Sequence, residues 1–162
     1  MVINNKHDLV KYLISCHKKR GFDISRIKLQ KALYFLYAFY GANIRILNLD
    51  NDAEKKDEEL FNADFEAWAY GPVDRNVYFK FKEDKYDISQ FNSEAFLEEL
   101  DDYTRGYLLD MTDRVFNTSD FSLVELSHED LCWKSHFDRE NPQNSDKIPN
   151  DEIISEYTLR NL

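Results

Sequence analysis

Three metal-capable side chains, His128, Cys132 and His136, stand four residues apart, a spacing that on one helix sets them along one face. At about 1.5 Å rise per residue, His128 and His136 lie about 12 Å apart, whereas zinc ligands sit about 2 Å from the ion. Only one i, i+4 pair can therefore share a metal, and further ligands would have to come from Cys16 or His17. The competing reading is a buried cysteine with two capping or surface histidines. Cys132 and a histidine also suggest a nucleophile with its base, a site that further requires an oxyanion hole and an orienting group. The acid pairs Glu58-Glu59, Glu98-Glu99 and Asp101-Asp102 are adjacent in sequence, so on a helix they point apart and stay solvated. No Walker loop, dinucleotide fingerprint, Gly-x-Ser-x-Gly or His-Glu-x-x-His motif is present, and four glycines leave little material for phosphate-cradling loops. These residues lead us to expect binding of another macromolecule, with no catalytic residue, metal or cofactor.

The elements that must position them read as mainly helical with a small β element. With 162 residues, 43% of them hydrophobic, the chain suits one compact domain. Leu9, Val10, Leu13, Ile14 and Cys16 mark a first helix from Asp8 to Lys19. Asp23 or Ser25 can cap a second, in which Leu29, Ala32, Leu33, Leu36, Tyr37 and Tyr40 keep helical spacing up to Gly41. Tyr34, Phe35 and Phe39 widen its apolar stripe, so this helix is expected to be surrounded by protein at the centre of the fold. Asp50 to Glu59 reads as an acidic loop. Phe65, Ala67 and Ala69 alternate with Glu66, Trp68 and Tyr70, which predicts a short strand ended by Gly71-Pro72. Asp74 then caps a helix carrying Val77, Tyr78 and Phe81. Helices capped by Ser93 and Thr104 follow, then a short one near Leu123 to Leu126, a helical stretch from Glu129 to Phe137, a loop from Asn141 to Lys147, and a last helix from Asp151 to Leu159.

Charge narrows the partner. Thirty-one acidic against 21 basic residues give −10, a field that repels phosphate backbones and attracts basic surfaces, so direct nucleic-acid binding is disfavoured. The apolar runs fall far short of the roughly 20 residues of a membrane span. The polar start and the two cysteines suit a cytoplasmic setting. One alternative turns the same charge to use: a phage anti-defence protein whose acidic groups line one face and mimic DNA. Another is a thiol and histidine enzyme, or a metal-binding protein, with His128 and Cys132 pointing into one pocket.

Lys28-Leu29-Gln30-Lys31 opening an aromatic helix, the block from Phe65 to Val73 with Val77-Tyr78 behind it, Glu125-Leu126-Ser127-His128 with Trp133, and Ile148 with Ile153, Ile154 and Tyr157 together resemble the Panacea domain. Trp-x-Tyr-Gly-Pro-Val is the most specific block. The resemblance implies a phage- or prophage-associated protein similar to the SocA-like antitoxins, which neutralise toxins by direct protein contact and include a proteolytic adaptor. It implies a protein partner: a cognate toxin encoded nearby, with a protease system as a further candidate, and it fixes no oligomeric state. The chain departs from the family at Ala69, where a Lys is usual, at Ser127, where a Thr is usual, and in the acidic insertion around Asp50 to Glu59. The candidate binding or motif residues are Lys28, Gln30, Lys31, Trp68, Tyr70, Gly71, Pro72, Val73, Tyr78, His128 and Trp133. For Trp68 and Tyr70, packing under a helix competes with presentation to a partner. For Lys28, Gln30 and Lys31, structural hydrogen bonding competes with recognition. His128 and Trp133 are expected to lock the last two helices together.

Overall fold

A computed structural model describes residues 1–51 and 54–162. Among them the order is α1 (Lys6–Lys19), α2 (Arg26–Leu49), β1 (Phe65–Trp68), β2 (Gly71–Asp74), α3 (Arg75–Lys82), α4 (Ser93–Glu98), α5 (Asp102–Phe116), α6 (Asp120–His128), α7 (Leu131–Lys134) and α8 (Asn150–Arg160). The fold is mainly α with one two-stranded antiparallel sheet.

Helix α2 is the centre, as its rings predict. Ser25 caps it by accepting from Lys28 N, and every residue from Lys28 to Ala42 is buried except Phe39. It packs against α8, α5, α6, β2, α1 and α3. Gly41 does not end it. A Cβ there would sit 2.6 Å from Ile154 Cγ1 and 3.2 Å from the Glu58 carbonyl, so the glycine lets α8 and the incoming chain press against the helix. That close packing outweighs the roughly 1 kcal/mol helix penalty of a glycine. Beyond it, Arg45 binds Glu58 at 2.7 Å, Asp151 at 2.9 Å and Ser155 at 2.8 Å, tying the end of the acidic stretch to α8. That stretch has no regular structure where described; Asp52 and Ala53 lie outside the described residues.

Three helix starts differ from expectation because an earlier side chain reaches the free amides first. Asn5 caps α1, Asn92 caps α4 in place of Ser93, and Asp101 caps α5 by accepting from Thr104 N, which leaves Thr104 buried. The stretch from Glu129 to Phe137 is not one helix. Asp130 separates α6 from α7, because its carboxylate turns inward to take hydrogen bonds from Tyr34 and Tyr157. The loop before α8 also does more than connect: Ala67 N donates to Asp146 O and Ile148 N to Phe65 O, both at 2.8 Å, laying residues 146–148 along β1.

Candidate functional site: a cradled hairpin

Strands β1 and β2 form a tight hairpin in which Trp68 pairs with Gly71 and Phe65 with Asp74. Gly71-Pro72 thus opens the return strand instead of ending the sheet. Ala69 and Tyr70 keep negative φ, and the left-handed step falls on Gly71 at φ +104°. Glycine is required there twice over, since a Cβ would lie 2.4 Å from Ser127 Oγ and 2.7 Å from Lys31 Nζ. Phe65, Ala67 and Pro72 face the core, while Glu66, Trp68 and Val73 face outward.

Residues far apart in sequence hold this hairpin by its backbone. Gln30 acts on β2 like a neighbouring strand: its Oε1 accepts from Asp74 N at 2.8 Å and its Nε2 donates to Asp74 O at 3.1 Å. The Asp74 carboxylate caps α3 through Val77 N at 3.1 Å and pairs with Lys6 at 2.7 Å. Lys31 Nζ donates to Pro72 O at 3.0 Å. From the other side, Trp133 Nε1 donates to Trp68 O at 2.8 Å, and a ring nitrogen of His128, Nε2, lies 2.9 Å from Ala69 O. The His128 and Trp133 rings stack at 4.3 Å. These two residues therefore anchor the hairpin turn to α6 and α7, which corrects the expectation that they lock the last two helices to each other.

Burial sets the electrostatics beneath the hairpin. Lys31 is 1% exposed, and loss of hydration pulls its ammonium down to about 7, with Asp130 partly opposing the shift. Asp130 is fully buried and its carboxyl is raised, mostly by burial; the hydroxyls of Tyr157 and Tyr34 and the Arg160 guanidinium hold it back. Tyr34 and Tyr157 donate to Oδ2 at 2.5 and 2.6 Å, and Arg160 Nη1, 2.9 Å from Oδ1, pairs by charge without an aligned hydrogen bond. The Cys132 thiol sits 3.3 Å from Tyr34 Oη and burial pushes it up to about 12, the opposite of an activated nucleophile. His136 binds Asp146 and Glu152 at 3.1 and 2.9 Å. With His128 on the hairpin and Cys132 inside, the three spaced residues serve three different places. Among the described residues no group of three His, Cys, Asp or Glu could hold a metal, and no helix is long and apolar enough to cross a membrane.

Outside the hairpin lies a cavity of about 440 Å³, walled by the start of α2, the outer face of the sheet, the start of α3 and residues 142–145. Gln30, Lys31, Trp68, Tyr70, Val73 and Tyr78 all line it. Trp68 and Tyr78 meet edge to face at 4.9 Å, Arg75 lies 5.4 Å over the Trp68 ring while bound to Glu66, and Tyr70 is 67% exposed. Trp68 thus packs and Tyr70 is presented. Lys28 stands apart: its ammonium takes the Thr118 carbonyl and lies 3.3 Å from Asp120, joining α2 to α6. Sequence reasoning missed Asp74 and Asp130 as holders, and Arg26 and Arg75 as cavity walls. Asp74 left a signal as a helix cap; the others gain their place only through long-range packing.

The family described as Antitoxin SocA-like, Panacea domain, matches residues 29–134, most of the chain, including the hairpin with Gln30, Lys31, His128 and Trp133, and the chain belongs to it. The match stops short of α1 and α8. A search of curated proteins and one of solved structures return no match. At the level of the family the function is antitoxin-like, which implies a protein partner and suggests a non-catalytic role.

Proposed function

We propose that this chain, folded as a single domain, neutralises a toxin encoded beside it by stoichiometric protein contact in the cytoplasm, within a phage or prophage setting, and that the hairpin turn with its adjoining cavity is the contact surface. The observation that carries this reading is where the motif residues spend their polar atoms. Gln30, Lys31 and Trp133 donate to backbone carbonyls of the hairpin, and His128 sits against another. The result is a turn tied down through its backbone that presents Tyr70 beside an aromatic-walled cavity. Preorganisation of this kind favours binding, because little freedom is lost when a partner docks, and exposed tyrosines make frequent anchors. Co-expression with the product of the neighbouring gene tests it, scoring host growth and co-purification together. Restored growth with a stable complex is expected; a harmless neighbour that never co-purifies overturns the reading.

A further inference from the structure

Among the described residues, the cavity beside the hairpin holds one uncommitted cation, Arg26, on a molecule of net negative charge. The chain has a formal charge of −10, yet Arg26, Lys31 and Arg75 line this cavity and, among the described residues, no acidic one does. Two of those cations are already engaged: Arg75 binds Glu66, and Lys31 is held by the Pro72 carbonyl. Arg26, the first residue of α2, is exposed and has no ion pair or hydrogen bond among the described residues. Beside it the Trp68 and Tyr78 rings and Val73 supply an apolar wall.

The hairpin edges are closed to strand addition. Residues 146–148 occupy the free edge of β1, while Gln30 and Lys31 take the outward backbone groups of Asp74 and Pro72 on β2. Side chains, and not the backbone edges of β1 and β2, are what this face offers to a partner.

We propose that this cavity seats an acidic segment of the partner protein, with a carboxylate on Arg26 and a neighbouring aromatic or aliphatic side chain against Trp68 and Tyr78. This rests on the reading of the chain as a partner-binding antitoxin and adds the partner's chemistry. A recess that pairs an unengaged arginine with an apolar wall selects such a segment, because it offers charge and apolar contact side by side.

Panning a random phage-displayed peptide library against the full-length chain and against Arg26→Glu tests it. Circular dichroism confirms that the variant, altered only at an exposed and unpaired side chain, keeps its helices. Enrichment of Asp or Glu next to an aromatic or aliphatic residue is expected, with binding to the variant weakened about tenfold or more, as for loss of a charge-assisted hydrogen bond. Enrichment of basic or purely apolar peptides, no enrichment, or equal binding to both proteins overturns it. Growth rescue by the wild-type chain without an acidic consensus removes this proposal and leaves the antitoxin reading standing. An acidic consensus without rescue by any neighbour removes the antitoxin reading instead.

Discussion

Replacing Gln30 by leucine removes the two hydrogen bonds that hold Asp74, at 2.8 and 3.1 Å, while keeping side-chain volume close to native. Gln30 is 4% exposed and Asp74 1%, so little water reaches these groups to replace the lost bonds. Each bond contributes about 1 kcal/mol net, and each buried backbone group left alone costs a further 1–3 kcal/mol, of which partial relaxation recovers some. The expected loss is about 2–5 kcal/mol, a large share of the roughly 5–15 kcal/mol that stabilises a domain. With a urea dependence of about 2 kcal/mol per molar, the unfolding midpoint falls by roughly 1–2.5 M at unchanged slope. Gln30→Glu separates the two bonds, since its ionised form cannot donate to the Asp74 carbonyl but its protonated form can. Facing that carbonyl, the new carboxyl has a raised folded pKa, so its stabilisation is full below about pH 4.3 and is lost as pH rises through the folded value. Its deficit relative to wild type therefore shrinks on acidification. A midpoint shift for Gln30→Leu worth under about 0.5 kcal/mol would refute the view that this amide holds the strand.

Four further outcomes follow from the same geometry. Gly71→Ala combines a left-handed φ with contacts at 2.4 and 2.7 Å, and should destabilise by about 2 kcal/mol or more in thermal or urea unfolding. Lys31 sheds its proton near pH 7 when folded but only near 10.4 when unfolded; the unfolded chain binds more protons between these values, so stability rises with pH there, and Lys31→Met flattens that slope. For His136, burial is outweighed by Asp146 and Glu152 and the imidazole is raised, so its stabilisation is full below about pH 6.5 and fades as pH rises through the folded value. Urea unfolding of His136→Asn should show a loss under about 1 kcal/mol at pH 5.5 and a smaller one at pH 8. Cys132, buried with its thiol pushed up to about 12, should resist a disulfide reagent at pH 8 until the protein unfolds; rapid native labelling would revive the thiol reading.

How much of this was legible in the chain differs by element. The ring-studded period from Leu29 to Tyr40 revealed α2 and its central place, because a helix apolar beyond one face has to be enclosed. Gly41 misled because glycine ends helices by local propensity, while here Ile154, 113 residues away in sequence, decides the matter. The alternation from Phe65 to Trp68 showed β1, but a proline reads locally as a stop, and the return strand is recognisable only once Gln30 and Lys31 are seen holding it. The spacing of His128, Cys132 and His136 assumed a continuous helix, which the inward turn of Asp130 breaks. The motif blocks marked the cradle's members without revealing that their shared object is the hairpin backbone.

Deuterium exchange of the chain alone and in complex with its co-purified toxin tests the central claim most directly. The account predicts protection on binding at residues 26–31 and 68–78, around the hairpin turn and its cavity. Protection confined to other surfaces, such as exposed Phe22 or Leu159, with the hairpin exchanging as before, would contradict it.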